Sequence, residues 1–155
     1  MATDIKAKRF TDGTAAAATT IAAAQTLGGA GNMTLAGTAA TFGGTNLGQK
    51  ITLVSTGNIS AVTFTITGTD PTGASQTEDL TGPNNSTVTS TKYFNTVTQI
   101  AASGAVGTNT SSGVAADQGG TLFAGRTRVR GMHAVNAGAG TIFLNNSSID
   151  GSEIL

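Results

Sequence analysis

The sequence predicts an all-β fold: a sandwich or jelly-roll-like barrel of about eight to ten short strands with an extended N-terminal arm. Three observations predict it. Of 155 residues, 29 are threonine and 22 are glycine, the residues of pleated strands and tight turns. Val62, Phe64 and Ile66 alternate strictly with Thr63, Thr65 and Thr67, the period-2 pattern of a half-buried strand. Turn signals recur between such runs, the clearest being Asp70-Pro71-Thr72-Gly73, with proline at the second and glycine at the fourth place of a type I turn.

Residues 1–30 differ from the rest. They open on three basic residues, Lys6, Lys8 and Arg9, and continue into an alanine and threonine tract with few large apolar side chains. Ala15–Ala18 favours helix, but Thr19-Thr20 and the missing apolar stripe oppose it. The segment reads as an arm, extended or with one helical turn, or as a disordered terminus; the competing reading is that Ile21 and Leu27 supply a strand to the sandwich. The sandwich domain is expected over 31–155. Its strand candidates are the alternation around Ile51 and Leu53, Val62–Thr67, Gln76–Thr81 returning from the Asp70–Gly73 turn, Thr87–Thr91, Phe94–Ala101, Thr121–Ala124, Arg126–Asn136 and Thr141–Asn145. Large apolar residues are sparse, so the core is thin. A homo-oligomer, with a trimer favoured, is expected to bury the remainder.

Charge and composition narrow the function. Charged residues make up 10% of the chain, the formal net charge is zero, and cysteine and tryptophan are absent. A chain without a broad positive field is a poor nucleic-acid binder. No run of about 18 apolar residues is present to span a membrane. The basic start lacks the apolar stretch of a secretory signal, and the lack of cysteine fits assembly in a reducing cytoplasm.

Catalytic and ligand motifs fail on register. Gly43–Lys50 is glycine-rich, but Gln49 separates Gly48 from Lys50 and Ile51 follows, so it is not a phosphate loop. His133 shares a strand face with Val129, Gly131 and Val135, which suits packing better than metal or proton transfer. Glu78 and Asp79 point to opposite faces of a strand. Asp70, Glu78 and Asp79 could converge on an ion across their hairpin, but the loop lacks the carboxylate density of a calcium site. No cofactor, metal or catalytic residue is expected, and the chain is read as a non-enzyme. Tyr93 and a few phenylalanines are the only side chains that could stack on a sugar.

Arg126, Arg128 and Arg130 are the most pointed polar feature. A spacing of two places all three guanidinium groups on one face of one strand. They form either a subunit or partner contact, since arginine favours bidentate pairing with carboxylates, or a solvated face. Together with Lys6, Lys8 and Arg9 they are the expected partner-binding residues.

Ile51–Ile100, with its runs Ile-Thr-Leu-Val-Ser-Thr-Gly-Asn, Val-Thr-Phe-Thr-Ile-Thr-Gly-Thr-Asp and Gln-Thr-Glu-Asp-Leu-Thr-Gly-Pro-Asn, and the later Arg-Val-Arg-Gly-Met-His-Ala-Val-Asn-Ala-Gly-Ala-Gly-Thr-Ile-Phe-Leu, resemble small virion structural proteins of tailed phages, especially those of aquatic hosts. The likeness covers about half the chain and lies in strand-and-turn texture. It implies an all-β protein on the virion, a capsid decoration or cement protein whose partner is the major capsid protein. It carries over no catalytic residue. The alternatives are a tail-tube, connector or fibre component, and, from another class, a carbohydrate-binding or adhesive module.

Overall fold

A computed structural model describes residues 8–121. The chain divides into two units, Met1–Gly120 and Thr121–Leu155, and every strand described below lies in the first. The order is β1 (Ala17–Leu27), β2 (Gly31–Asn32), a one-turn 3-10 helix (Gly37–Ala40), β3 (Gly48–Ser55), β4 (Thr63–Thr69), β5 (Ser75–Thr81), β6 (Thr87–Phe94), β7 (Thr96–Ala102) and β8 (Val106–Gly119). They form two four-stranded sheets, β1-β8-β3-β6 and β2-β7-β4-β5, with every neighbouring pair antiparallel. The expected all-β fold is thus present as a sandwich. The strands close into no barrel.

The alternation in β4 decides one half of the core. Phe64 and Ile66 are fully buried, and their cross-strand partners Leu80, Ile100 and Ala102 bury with them. The facing sheet contributes Ile51, Leu53, Phe94, Val106 and Val114, and Phe42 enters from the loop before β3. Each large side chain removed from water contributes about 1.5–3 kcal/mol. The Asp70–Gly73 turn joins β4 to β5 as expected, with the Gly73 N–H donating to the Asp70 carbonyl at 3.0 Å.

Two strands differ from the sequence reading. The alanine and threonine tract is not an arm over residues 17–27. It is β1, which pairs along β8 and sinks Ile21 and Ala22 completely into the core. The expected boundary at residue 30 therefore separates a strand from its own sheet. β8 was not expected at all, yet it lies between β1 and β3 and buries Thr110, Ser111, Ser112 and Val114. Glycine stands at 113 because β1 runs close by: a Cβ there would strike the Ala17 carbonyl oxygen. The strand candidates Thr121–Ala124, Arg126–Asn136 and Thr141–Asn145 lie outside the described residues, except for Thr121.

Candidate contact surface

One end of the sandwich holds the first described residues. The loop before β3 binds them through backbone and amide groups. The Asn46 Nδ2 donates to the Arg9 carbonyl at 2.8 Å, the Thr11 N–H donates to the Thr45 carbonyl at 3.2 Å, and the Thr45 N–H returns to the Thr11 hydroxyl at 2.8 Å. The Thr14 N–H donates to the Phe42 carbonyl at 2.7 Å. Backbone contact is so close that a Cβ on Gly44 would overlap the Thr11 carbonyl oxygen. Asn46 adopts a left-handed φ of 58°, a conformation that asparagine tolerates better than most residues.

Gln49 anchors the segment from within. It is fully buried, and its Nε2 donates to the carbonyls of Thr14 at 2.8 Å and Ala115 at 3.1 Å, joining the N-terminal segment to β8. These two acceptors fix which end of the amide is nitrogen. Its Oε1 has no protein donor. Asn95, where the chain crosses from β6 to β7, donates through Nδ2 to the Gly44 and Leu47 carbonyls at 2.8 and 2.6 Å and holds the same loop from the other side. The glycine-rich stretch Gly43–Lys50 is therefore a clamp that leads into a strand, not into the helix of a phosphate loop.

The expected partner-binding residues divide accordingly. Arg9 is exposed at the clamped root, and Lys8 is half-buried with its Nζ 5.6 Å from the Phe10 ring centre. Lys6, Arg126, Arg128 and Arg130 lie outside the described residues, as does His133. Sequence reasoning missed Asn46, Gln49, Asn95 and the trio of Lys50, Tyr93 and Asp117. A signal for Gln49 was present: it stands in phase with Ile51 and Leu53, on the inner side of the alternation.

The trio spans three adjacent strands. The Lys50 Nζ lies 5.2 Å from the Tyr93 ring centre and 3.7 Å from the Asp117 Oδ2. Asp117 is largely exposed, so the ion pair contributes at most about 1 kcal/mol. The lysine occupies one face of the tyrosine ring, which weakens Tyr93 as a platform for a sugar.

The three hairpin carboxylates have separate partners. Glu78 accepts from the Thr91 N–H and hydroxyl and from the Lys92 N–H, at 2.7, 2.9 and 2.9 Å. Asp79 accepts from the Thr65 hydroxyl at 2.6 Å. Burial pushes the Asp70 carboxyl up, but hydrogen bonds from the Thr72 hydroxyl and from the backbone N–H groups of Thr72, Ala74 and Gly73 outweigh it and hold the group below its ordinary value. Among the described residues no three His, Cys, Asp or Glu side chains group to hold a metal ion, and no helix is long and apolar enough to cross a membrane. No protein-family model, curated protein or solved structure matches the chain.

Proposed function

We propose that this chain is a structural protein of a tailed-phage virion, a capsid decoration protein that clamps neighbouring major capsid subunits. It acts by contact and avidity, not by catalysis. It assembles in the host cytoplasm as a homo-oligomer, a trimer matching the local three-fold positions of a capsid, and sits on the capsid surface. Neither nucleic acid nor a membrane enters this reading.

The observation that carries it is the clamped root. A basic segment tied to a rigid sandwich through Arg9, Thr11 and Thr14 presents its charge at a defined place. Binding an acidic neighbour then costs less ordering than binding with a free tail. Lys8 and Arg9 at this root, together with Lys6 two residues earlier in the sequence, are the first proposed contact. Arg126, Arg128 and Arg130 form a second, each able to pair bidentately with a carboxylate.

The test uses capsids assembled from the major capsid protein of the same genome. Electron images should show the chain on the capsid exterior. Replacing Arg126, Arg128 and Arg130 with Ala should weaken attachment while leaving the melting temperature of the isolated chain nearly unchanged, since each lost charge-assisted hydrogen bond is worth roughly 1.5–3 kcal/mol. Density on tails or connectors instead would select the tail-component reading, and undiminished capsid binding would reduce the arginines to a solvated face.

A further inference from the structure

The glycines at the end of β1 answer to nothing in the fold as it stands. Gly28 and Gly29 lie in the bend after β1, and Gly31 follows at the start of β2, registered with Ala102 of β7 in the other sheet; all three are exposed. A Cβ on any of the three would meet no atom within 4 Å. None has a positive φ, which among the described glycines is confined to Gly73. In this conformation alanine would serve at all three places. It would also lower the entropy of the unfolded chain, so glycine here is the less stabilising choice. Elsewhere Gly43, Gly44, Gly48, Gly68, Gly82, Gly113 and Gly120 each press on a neighbouring backbone, while Gly37 and Gly107 stand singly in open space; only after β1 do such glycines stand side by side. Gly28 and Gly29, outside both strands and with no side chain or backbone where a Cβ would stand, are explained by a second conformation of this connection.

The strand on the far side of that joint is suited to leave. Among the described strands β1 is at an edge of its sheet, and it is bound by elements on the other side of the joint. β8 runs along it, the Ala36 N–H donates to the Ile21 carbonyl at 2.8 Å, the Thr38 hydroxyl donates to the Thr20 carbonyl, and Gln25 exchanges two hydrogen bonds with Thr34. No charged residue occurs from Gly13 to Gln49 or from Val106 to Ala116, so strand and groove meet without ionic repulsion whichever copy supplies the strand.

We propose that β1 exchanges between copies of this chain: residues up to Leu27 swing about Gly28–Gly31 and lie along β8 of a neighbour. The groove on β8 specifies its occupant. It accepts Ile21 and Ala22 at full burial and is notched at Gly113 for the Ala17 backbone, and every other copy carries that same segment. Exchange re-forms the same contacts, so closed and exchanged forms differ only through the joint and the association itself. Donation from each copy to the next closes into a ring. The proposal deepens the homo-oligomer part of the proposed function and is independent of the capsid.

The chain lacks cysteine, so an introduced pair is read without background. Ala22 and Ser112 are registered cross-strand partners on β1 and β8, and antiparallel partners lie about 4.5–5.5 Å apart at Cα, within disulfide reach. The full-length Ala22→Cys, Ser112→Cys variant is warmed at high concentration, cooled, oxidised and run on a denaturing gel without reductant. Exchange predicts that most of the linked material runs as two, three or more chains. Linked material that runs only as single chains overturns it. Gln25→Cys with Thr110→Cys, the next registered pair, reads the same outcome if the first pair does not fold. If light scattering reports an oligomer while the links stay within chains, exchange fails and the homo-oligomer reading stands.

Discussion

The two open sides of the sandwich meet the same need with different chemistry. At each side an edge strand of one sheet faces an edge of the other, and unpaired backbone groups there invite aggregation. Between β5 and β6 the stitch is a carboxylate: Glu78 accepts from the Thr91 and Lys92 N–H groups, while the Lys92 Nζ donates to the Thr77 carbonyl at 2.6 Å and the Gln76 Nε2 to the Tyr93 carbonyl at 2.6 Å. Between β1 and the segment after β2 it is an amide: the Gln25 Oε1 accepts from the Thr34 N–H at 2.9 Å and its Nε2 donates to the Thr34 carbonyl at 3.0 Å. A carboxylate only accepts, so it fits where two donors stand side by side. An amide both donates and accepts, so it fits one residue's N–H and C=O together. One side is therefore charged and the other neutral. The neutral side is the one that carries β1, the strand proposed to exchange.

The largest way to break this comparison is to remove the neutral side's strand. Deleting residues 1–27 strips Ile21 and Ala22 from the core and bares the whole edge of β8. The truncated chain should lose its cooperative thermal melt, followed by circular dichroism in the strand region. A melt within a few degrees of the full-length value would return residues 1–27 to the status of an arm.

A smaller effect sharpens the contrast in charge. Glu78→Ala should cost about 1–2 kcal/mol in chemical denaturation, allowing for solvent screening, and the cost should shrink in molar salt. Gln25→Ala should cost about 0.5–1.5 kcal/mol, and salt should leave that cost unchanged. Equal salt dependence for the two variants would contradict the assignment of one charged and one neutral stitch.

The smallest effect is at the β4–β5 turn. The Asp70 carboxyl is held below its ordinary value in the folded chain. Its contribution to stability is therefore fully present above the ordinary carboxylate range and is lost as pH falls through the lower folded value. Asp70→Asn should flatten that acid limb of the stability curve and change little at neutral pH beyond the loss of the charge-assisted bonds.

β3 and β4 were legible because their inner faces carry Ile, Leu and Phe in alternation, and β5 because the Asp70–Gly73 turn sends the chain back beside β4. β1 and β8 were not, because between the isolated anchors Ile21, Val106 and Val114 they bury Ala, Ser, Thr and Gly, which give no hydrophobic period. The glycine at 113 follows from the close approach of the Ala17 backbone, a tertiary fact with no local trace in the sequence. The basic root was legible as charge at Lys8 and Arg9. Its clamp was not, because Asn46, Gln49 and Asn95 act on backbone carbonyls far along the chain, and amides of this kind recur across the whole sequence without marking which of them are buried.

Native-state hydrogen exchange tests the placement of β1 most directly, because it perturbs nothing. The β8 amides that face β1 should exchange as slowly as those that face β3, at rates set by opening of the whole sandwich. Fast exchange on the β1-facing side, with slow exchange on the β3-facing side, would contradict the account by showing that β1 does not hold to the sheet.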